Sequence, residues 1–355
     1  MGALAACGSR IPPQPPVPGV LSTPLADGFS HPAEWAAHAG CLMQFPPASR
    51  YCGVIQDCQS IQDARQEWAA VARAVSEFEP VVLYANPEDV ALAQELCGAS
   101  VTVLDAPLDD GWSRDSGPML LTHQDGRVRA SCFQFNGWGG SYSYAQDALI
   151  KWRMAEDLGV QVYNHELILE GGAVIMDGTG ALVTTEQCLL HKGRNPQVSK
   201  EEQSQILKEQ LGVDRVIWLP GGWTPDPITN GHVDGIAAFV AENTLVLNSI
   251  ARSEDPDNYQ MLEQAREILE GEGFEVIRLP ATSFTAFHIN FYTANGGLIV
   301  PIQGQAALDD VPLGILRELH PEHEVVGVVA NTLGQAGGGI HCITQQVPQG
   351  VDWPF

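Results

Sequence analysis

The stretch Glu324–Pro348, EVVGVVANTLGQAGGGIHCITQQVP, holds one strand-forming run, a polar turn, a glycine triplet and a second strand-forming run, and no return strand follows it. Left unpaired, that second run would be an open sheet edge, a template for pairing with another chain. An orphan apolar run near the other end, GCLMQFP at 40–46, offers the missing partner. Joining the two closes a ring and leaves no open edge.

The 324 run belongs to a set. VTVLDAP from 101, VQVYNHE from 160, RVIWLPGG from 215, EVIRLPA from 275 and EVVGVVAN from 324 each read as a short buried strand. Most are followed by further strand material with turn residues inside it: GPMLLTHQDGRVRASCF, GGAVIMDGTGALVTT, GHVDGIAAFVAENTLVLNS and NFYTANGGLIVP. Their Asp-Gly, Gly-Thr-Gly, Glu-Asn and Asn-Gly-Gly centres are hairpin turns. Helical periodicity fills the intervals, as in SIQDARQEWAAVARAVSEF, SKEEQSQILKEQLG and NYQMLEQAREILEGEG, the last opened by Pro256 and stopped by Gly271 to Gly273. A period of roughly 50 to 60 residues is that of a repeat architecture. A doubly wound parallel sheet would not need a hairpin in every unit. The expectation is an α/β fold, a five-unit propeller-like ring over 29–355 behind a disordered proline-rich tail at 1–28.

Bulk properties narrow the function. The chain has 355 residues, with 43 acidic against 18 basic ones, a formal charge of −25. Such a field repels nucleic acid and anionic membrane and favours a small cationic partner. No segment has the 18 or more apolar residues of a membrane span. Eight cysteines show neither zinc-ligand spacing nor the density of a disulfide framework, so no metal is expected and the thiols read as reduced. Leu4-Ala5-Ala6-Cys7 resembles a lipoprotein cleavage box but lacks the basic start and long apolar run of such a signal. The expectation is a cytoplasmic protein, with an envelope lipoprotein through Cys7 as the alternative reading. Homo-oligomer formation stays open.

If the units are equivalent, the loop after each of these strands stands at one end of the ring. In order the loops read DDGWSRDSGP, LILEGGAV, PDPITNGHVDG, FTAFHINF and AGGGIHCIT. Asp115, Glu170, His232 with Asp234, and Cys342 thereby converge from four separate units. A cysteine, a histidine and three carboxylates suit attack on a planar cation. Carboxylates match the guanidinium fork with charge-assisted hydrogen bonds. A thiolate then attacks the central carbon, and a histidine protonates the leaving ammonia and later deprotonates water.

These blocks, with WSRDSGP, FNGWGG, LEGGAVIMDGTGALVTTEQCLLHKGRNP, TNGHVDG and GGGIHCITQQ in order, resemble the agmatine deiminase family within the guanidino-modifying pentein superfamily, over nearly the whole chain from HPAEW at 31. The resemblance implies a five-bladed pseudosymmetric α/β propeller and cofactor-free hydrolysis of agmatine to N-carbamoylputrescine and ammonia. It implies Cys342 as nucleophile and His232 as acid–base group. Glu170 becomes a partner of the histidine and the guanidinium, Asp115 and Asp234 guanidinium ligands, and Trp112 and Gly338 shapers of the pocket. Arg114 is expected to brace its loop. Leu42, Phe45, Gly235 and Ala238 depart from the family's pattern and point to altered surroundings for the substrate tail, which keeps another alkylguanidine or an arginine substrate open. A cysteine amide hydrolase, a non-catalytic binder of small cations and an amidino transferase remain as alternatives. The first leaves three carboxylates without a purpose.

Overall fold

The computed structural model describes residues 22–48, 58–281 and 286–355. Within them the strands form five separate sheets. Each sheet repeats one plan: an antiparallel pair, then a helical crossover, then a strand parallel to the second of the pair. Val174–Met176 pairs antiparallel with Ala181–Thr185, and Arg215–Leu219 lies parallel beside it. Ala237–Ala241, Thr244–Ser249 and Glu275–Pro280 repeat the plan, as do Tyr292–Ala294, Gly297–Ile302 and Glu324–Val329. Another blade is Met119–His123, Val128–Gln134 and Gln161–Ile168, with Phe29–Ser30 added at its edge.

The fifth blade closes the ring. Thr344–Pro348 pairs antiparallel with His38–Gln44, which runs parallel to Val81–Ala85 and, through it, to Val101–Asp105. A buried cluster secures this joint to the neighbouring blade. Glu79 accepts hydrogen bonds from the Tyr292 hydroxyl at 2.6 Å and the Asn295 backbone N–H at 2.9 Å, and its other contact is the His38 ring, 3.1 Å away.

The local signals explain the elements. Asp255 caps the helix Pro256–Gly271 by accepting from the Asn258 N–H, with Pro256 at its first turn, where a missing N–H costs nothing. Leu262, Ala265 and Leu269, three and four residues apart, turn its apolar face onto the sheet. Full burial of each leucine stabilises by about 1.5–3 kcal/mol. Ser199 and Glu202 form a reciprocal capping box on Lys200–Leu211, which ends at Gly212 in the left-handed conformation.

One expectation is corrected. The runs from 101, 160, 215, 275 and 324 are not fully buried; Glu324–Val329, for example, alternates exposed and half-buried positions. Each is the outermost strand of the blade it completes, so one of its faces meets solvent. The strands inside each blade are the buried ones, such as Val174–Met176 and Ala181–Thr185, buried at every position. The Cys7 segment and Cys52 lie outside the described residues, as does most of the 1–28 segment. Where that segment is described it is tied down by backbone hydrogen bonds, the Leu25 N–H donating to the Glu209 carbonyl at 3.0 Å.

A single helical turn precedes the first strand of every blade: Ser113–Ser116, Gly171–Ala173, Val233–Gly235, Ala286–Ile289 and His341–Ile343. The first of these touches the second and the last, the second touches the third, and the third touches the fourth. The His341 N–H donating to the Asn290 carbonyl at 3.0 Å completes the circle.

Candidate active site

All five residues expected at the ring's centre sit on or beside these turns. Asp115 lies in the first, Glu170 just before the second, His232 just before the third and Asp234 within it, and Cys342 in the last. Each is at most 7 % exposed.

Asp115 is fixed on both oxygens. Oδ2 accepts from the Trp138 indole N–H at 2.8 Å and Oδ1 from the Gly172 N–H at 3.1 Å. Trp138 stands at φ 55°, a left-handed conformation uncommon for a bulky residue, which places its ring where the carboxylate needs a donor. His232 lies between carboxylates, Nδ1 3.8 Å from Asp115 and Nε2 3.8 Å from Glu170, and neither nitrogen has a hydrogen-bond partner. Glu170 receives the Arg194 Nε–H at 2.8 and 3.1 Å in a pair with no exposed side-chain surface. Arg194 is itself anchored, donating to the Asn230 side chain at 2.9 Å and the Thr229 carbonyl at 2.7 Å.

Around Cys342, the thiol donates to Asn290 Oδ1 at 3.2 Å, and Asp234 Oδ2 lies 3.5 Å from the sulfur. Asn290 Oδ1 also accepts the Cys342 backbone N–H at 3.2 Å, so one amide sets both the main chain and the sulfur. Asp234 Oδ2 contacts His341 Nδ1 at 2.9 Å, and the other ring nitrogen contacts Glu34 at 2.8 Å. Arg114 lies 3.6 Å from Glu34 and donates to the His341 carbonyl at 3.3 Å. It therefore braces the loop from beneath.

Glycines make the room. A Cβ on Gly338 would stand 2.5 Å from the Trp112 ring and 3.1 Å from the Cys342 sulfur, so its absence lets the indole close over the thiol. A Cβ on Gly172 would stand 2.7 Å from His232 Nδ1, 2.8 Å from Asp234 Oδ2 and 3.0 Å from Asp115 Oδ1. Gly172 is thus the bare patch of backbone at the centre of the polar cluster.

The electrostatics follow from burial and neighbours. Burial, and then the negative fields of Asp234 and Asp115, push the Cys342 thiol well above its ordinary value. Burial works against charge on His232, but Asp115 and the other groups around the ring outweigh it and hold the imidazolium well above the usual histidine range. Burial, with Asp234 and Glu170 adding to it, also raises Asp115. Glu170 is buried too, yet Arg194 brings its carboxyl down to about 2. The shifts of Cys342 and His232 favour a thiol and an imidazolium before substrate arrives. Alkylation of the free enzyme by iodoacetamide is expected to accelerate about tenfold per pH unit from pH 7 to pH 9. A plateau near neutrality would show a stabilised thiolate instead.

Reading the sequence for cysteine, histidine and carboxylates passed over Asn290, His341, Gly172, Arg194 and Trp138. Asn290 was the most accessible of these, since the FTAFHINF loop occupies the same place in its unit as the others and the amide was its contribution.

The family model described as Porphyromonas-type peptidyl-arginine deiminase matches residues 30–348. Among solved structures, the chain is similar to an agmatine deiminase of Enterococcus faecalis, with 31% identity and a TM-score of 0.85, covering 94% of this chain and 99% of that one. A C. jejuni agmatine deiminase with cysteine changed to serine and substrate bound matches at 25% identity and a TM-score of 0.83, covering 91% and 97%. DDAH of Pseudomonas aeruginosa shares the fold at 14% identity and a TM-score of 0.53, covering 87% and 99%.

Proposed function

Because the chain belongs to the Porphyromonas-type peptidyl-arginine deiminase family, we propose that it hydrolyses agmatine to N-carbamoylputrescine and ammonia through a covalent thiouronium on Cys342. The carrying observation is the buried set of carboxylates around a thiol and an imidazole, with Asp115 and Asp234 placed to pair with a planar cation.

In this scheme the guanidinium settles between Asp115 and Asp234, over the bare backbone of Gly172. Its charge offsets the fields that kept the thiol protonated, and the thiol proton departs to solvent. The thiolate attacks the central carbon and forms the C–S bond. His232, already protonated, gives its proton to one terminal nitrogen, which leaves as ammonia. The neutral imidazole then takes a proton from water, whose oxygen adds to the thiouronium carbon. Collapse breaks the C–S bond, the hydroxyl proton passes to the departing sulfur, and the ureido product leaves the regenerated thiol. Glu170, held by Arg194, keeps His232 cationic between turnovers. An amide substrate would instead develop an oxyanion, which these carboxylates would oppose.

A cation clamp makes a graded prediction. Asp115→Asn and Asp234→Asn should each remove a charge-assisted pair worth roughly 1.5–3 kcal/mol, a loss of about ten- to a hundredfold in kcat/KM on agmatine. Wild-type kcat/KM in both variants would sink the clamp. Measuring ammonia and ureido product across agmatine, arginine, methylguanidine and a peptide with C-terminal arginine tests the substrate. Turnover of the peptide but not of agmatine would overturn the assignment.

We further propose a single catalytic domain over 29–355. Among the described residues no helix is long and apolar enough to cross a membrane. Among the described residues Cys41, Cys97, Cys132, Cys188 and Cys342 are free and buried, which suits a reducing cytoplasm.

A further inference from the structure

His232 has a neighbour that deimination does not use. Cys188 is fully buried in the turn Glu186–Leu189, directly after the strand Ala181–Thr185. One donor atom from each of Glu170, Cys188 and His232 lies within 4.8 Å of the other two. Although His232 is only 4 % exposed, neither of its ring nitrogens has a hydrogen-bond partner. Nε2 is the nitrogen on the Glu170 side, and Nδ1 is left to Asp115.

We propose that Glu170, Cys188 and His232 form an inhibitory site for a soft divalent cation such as Zn2+, which takes the imidazole on its Glu170 side and so withdraws the ring from the protonation cycle that acid–base catalysis requires. A thiolate, an imidazole and a carboxylate are the donor types of three-ligand zinc sites, with a fourth position left for water. The pairing with Arg194 does not consume Glu170, since a carboxylate offers about four lone-pair sites. Binding forms M–S, M–N and M–O bonds without redox change, and the thiol proton and one imidazolium proton leave to solvent as the ion enters. No sequence spacing announces the set, because its members come from three separate segments of two adjacent blades. Inhibition rests on the acid–base role proposed for His232; occupancy of the site does not.

The test separates these two. Co2+ is added to the full chain carrying Cys342→Ala, so that the nucleophile cannot be the ligand, and the near-ultraviolet thiolate-to-cobalt band is recorded. The band is expected in Cys342→Ala and absent from the Cys342→Ala, Cys188→Ala double variant. Absence of the band from both, or its survival without Cys188, would overturn the site. Should the double variant fail to fold, X-ray absorption on Zn2+-loaded Cys342→Ala decides, with one sulfur at about 2.3 Å expected and a shell without sulfur contradicting it. In the unsubstituted enzyme, stoichiometric Zn2+ should lower agmatine turnover at least tenfold, reversibly on chelation. A band without inhibition would overturn the inhibitory role and, with it, the acid–base assignment of His232.

Discussion

Cys342→Ser is expected to lower kcat on agmatine by at least about 10⁴-fold, as loss of a nucleophile does when no other group can take its place. The unfolding midpoint should stay within about 2 °C of the parent. The hydroxyl fits the volume left by the thiol and can still donate to Asn290 Oδ1, which also holds the backbone N–H of residue 342. The defect is therefore chemical. A serine alkoxide at neutral pH is far less accessible than a thiolate, and the buried carboxylates that already raise the thiol would raise a hydroxyl further. Mass spectrometry of the parent quenched during turnover should show an adduct on Cys342, and the serine variant should show none. Retention of more than a tenth of the parent's kcat would refute the assignment.

Arg194→Met should act mainly on stability, by about 3–5 kcal/mol, because it strands the Glu170 carboxylate in a site without solvent. The Asn230 side chain and the Thr229 carbonyl lose donors as well. The pH dependence has a definite sign. A carboxyl brought down to about 2 in the folded state contributes stability that is complete above its ordinary value near 4.5 and is lost as pH falls toward 2. In Arg194→Met that acid-sensitive contribution should shrink or reverse. Adding Glu170→Gln should recover part of the loss, since the stranded charge is gone. Urea unfolding at pH 7 and pH 4 measures both effects, and a single variant within about 1 kcal/mol of the parent would show that the pair contributes little.

The fold was legible because its signals are local and repeated. Hairpin turns such as Asp125-Gly126 and Asn295-Gly296 stand between strands in both sequence and structure. Closure by residues 344–348 onto 38–44 could be inferred from two strands that each lacked a partner. The exposure of the outer strands was not legible, because an apolar run does not say whether it has neighbours on both faces. Helices Asp147–Asp157 and Ala306–Leu319 also passed unnoticed, the second interrupted by Pro312.

The site was legible where chemistry selects rare residue types and illegible where it uses common ones. Cys342, His232 and the three carboxylates stand out by charge or reactivity. Arg194 and Asn290 do not, because what matters is the specific oxygen each one meets, and that is settled by packing between blades. Gly172 is the extreme case, since its contribution is the absence of a side chain 2.7 Å from a ring nitrogen.

The pairing of Thr344–Pro348 with His38–Gln44 also orders events in time. A ribosome delivers the acidic and histidine-bearing turns well before the turn that carries the sulfur. The strand at 38–44 must wait, partnered on one side only, until nearly all the intervening chain has emerged. A truncated nascent product would hold a cation-attracting basin with no nucleophile, so premature termination yields an inert polypeptide rather than an unregulated enzyme. The same adjacency allows the chain to be cut at another blade boundary and rejoined here, a circular permutant in which the sulfur is translated early and a different sheet is completed last.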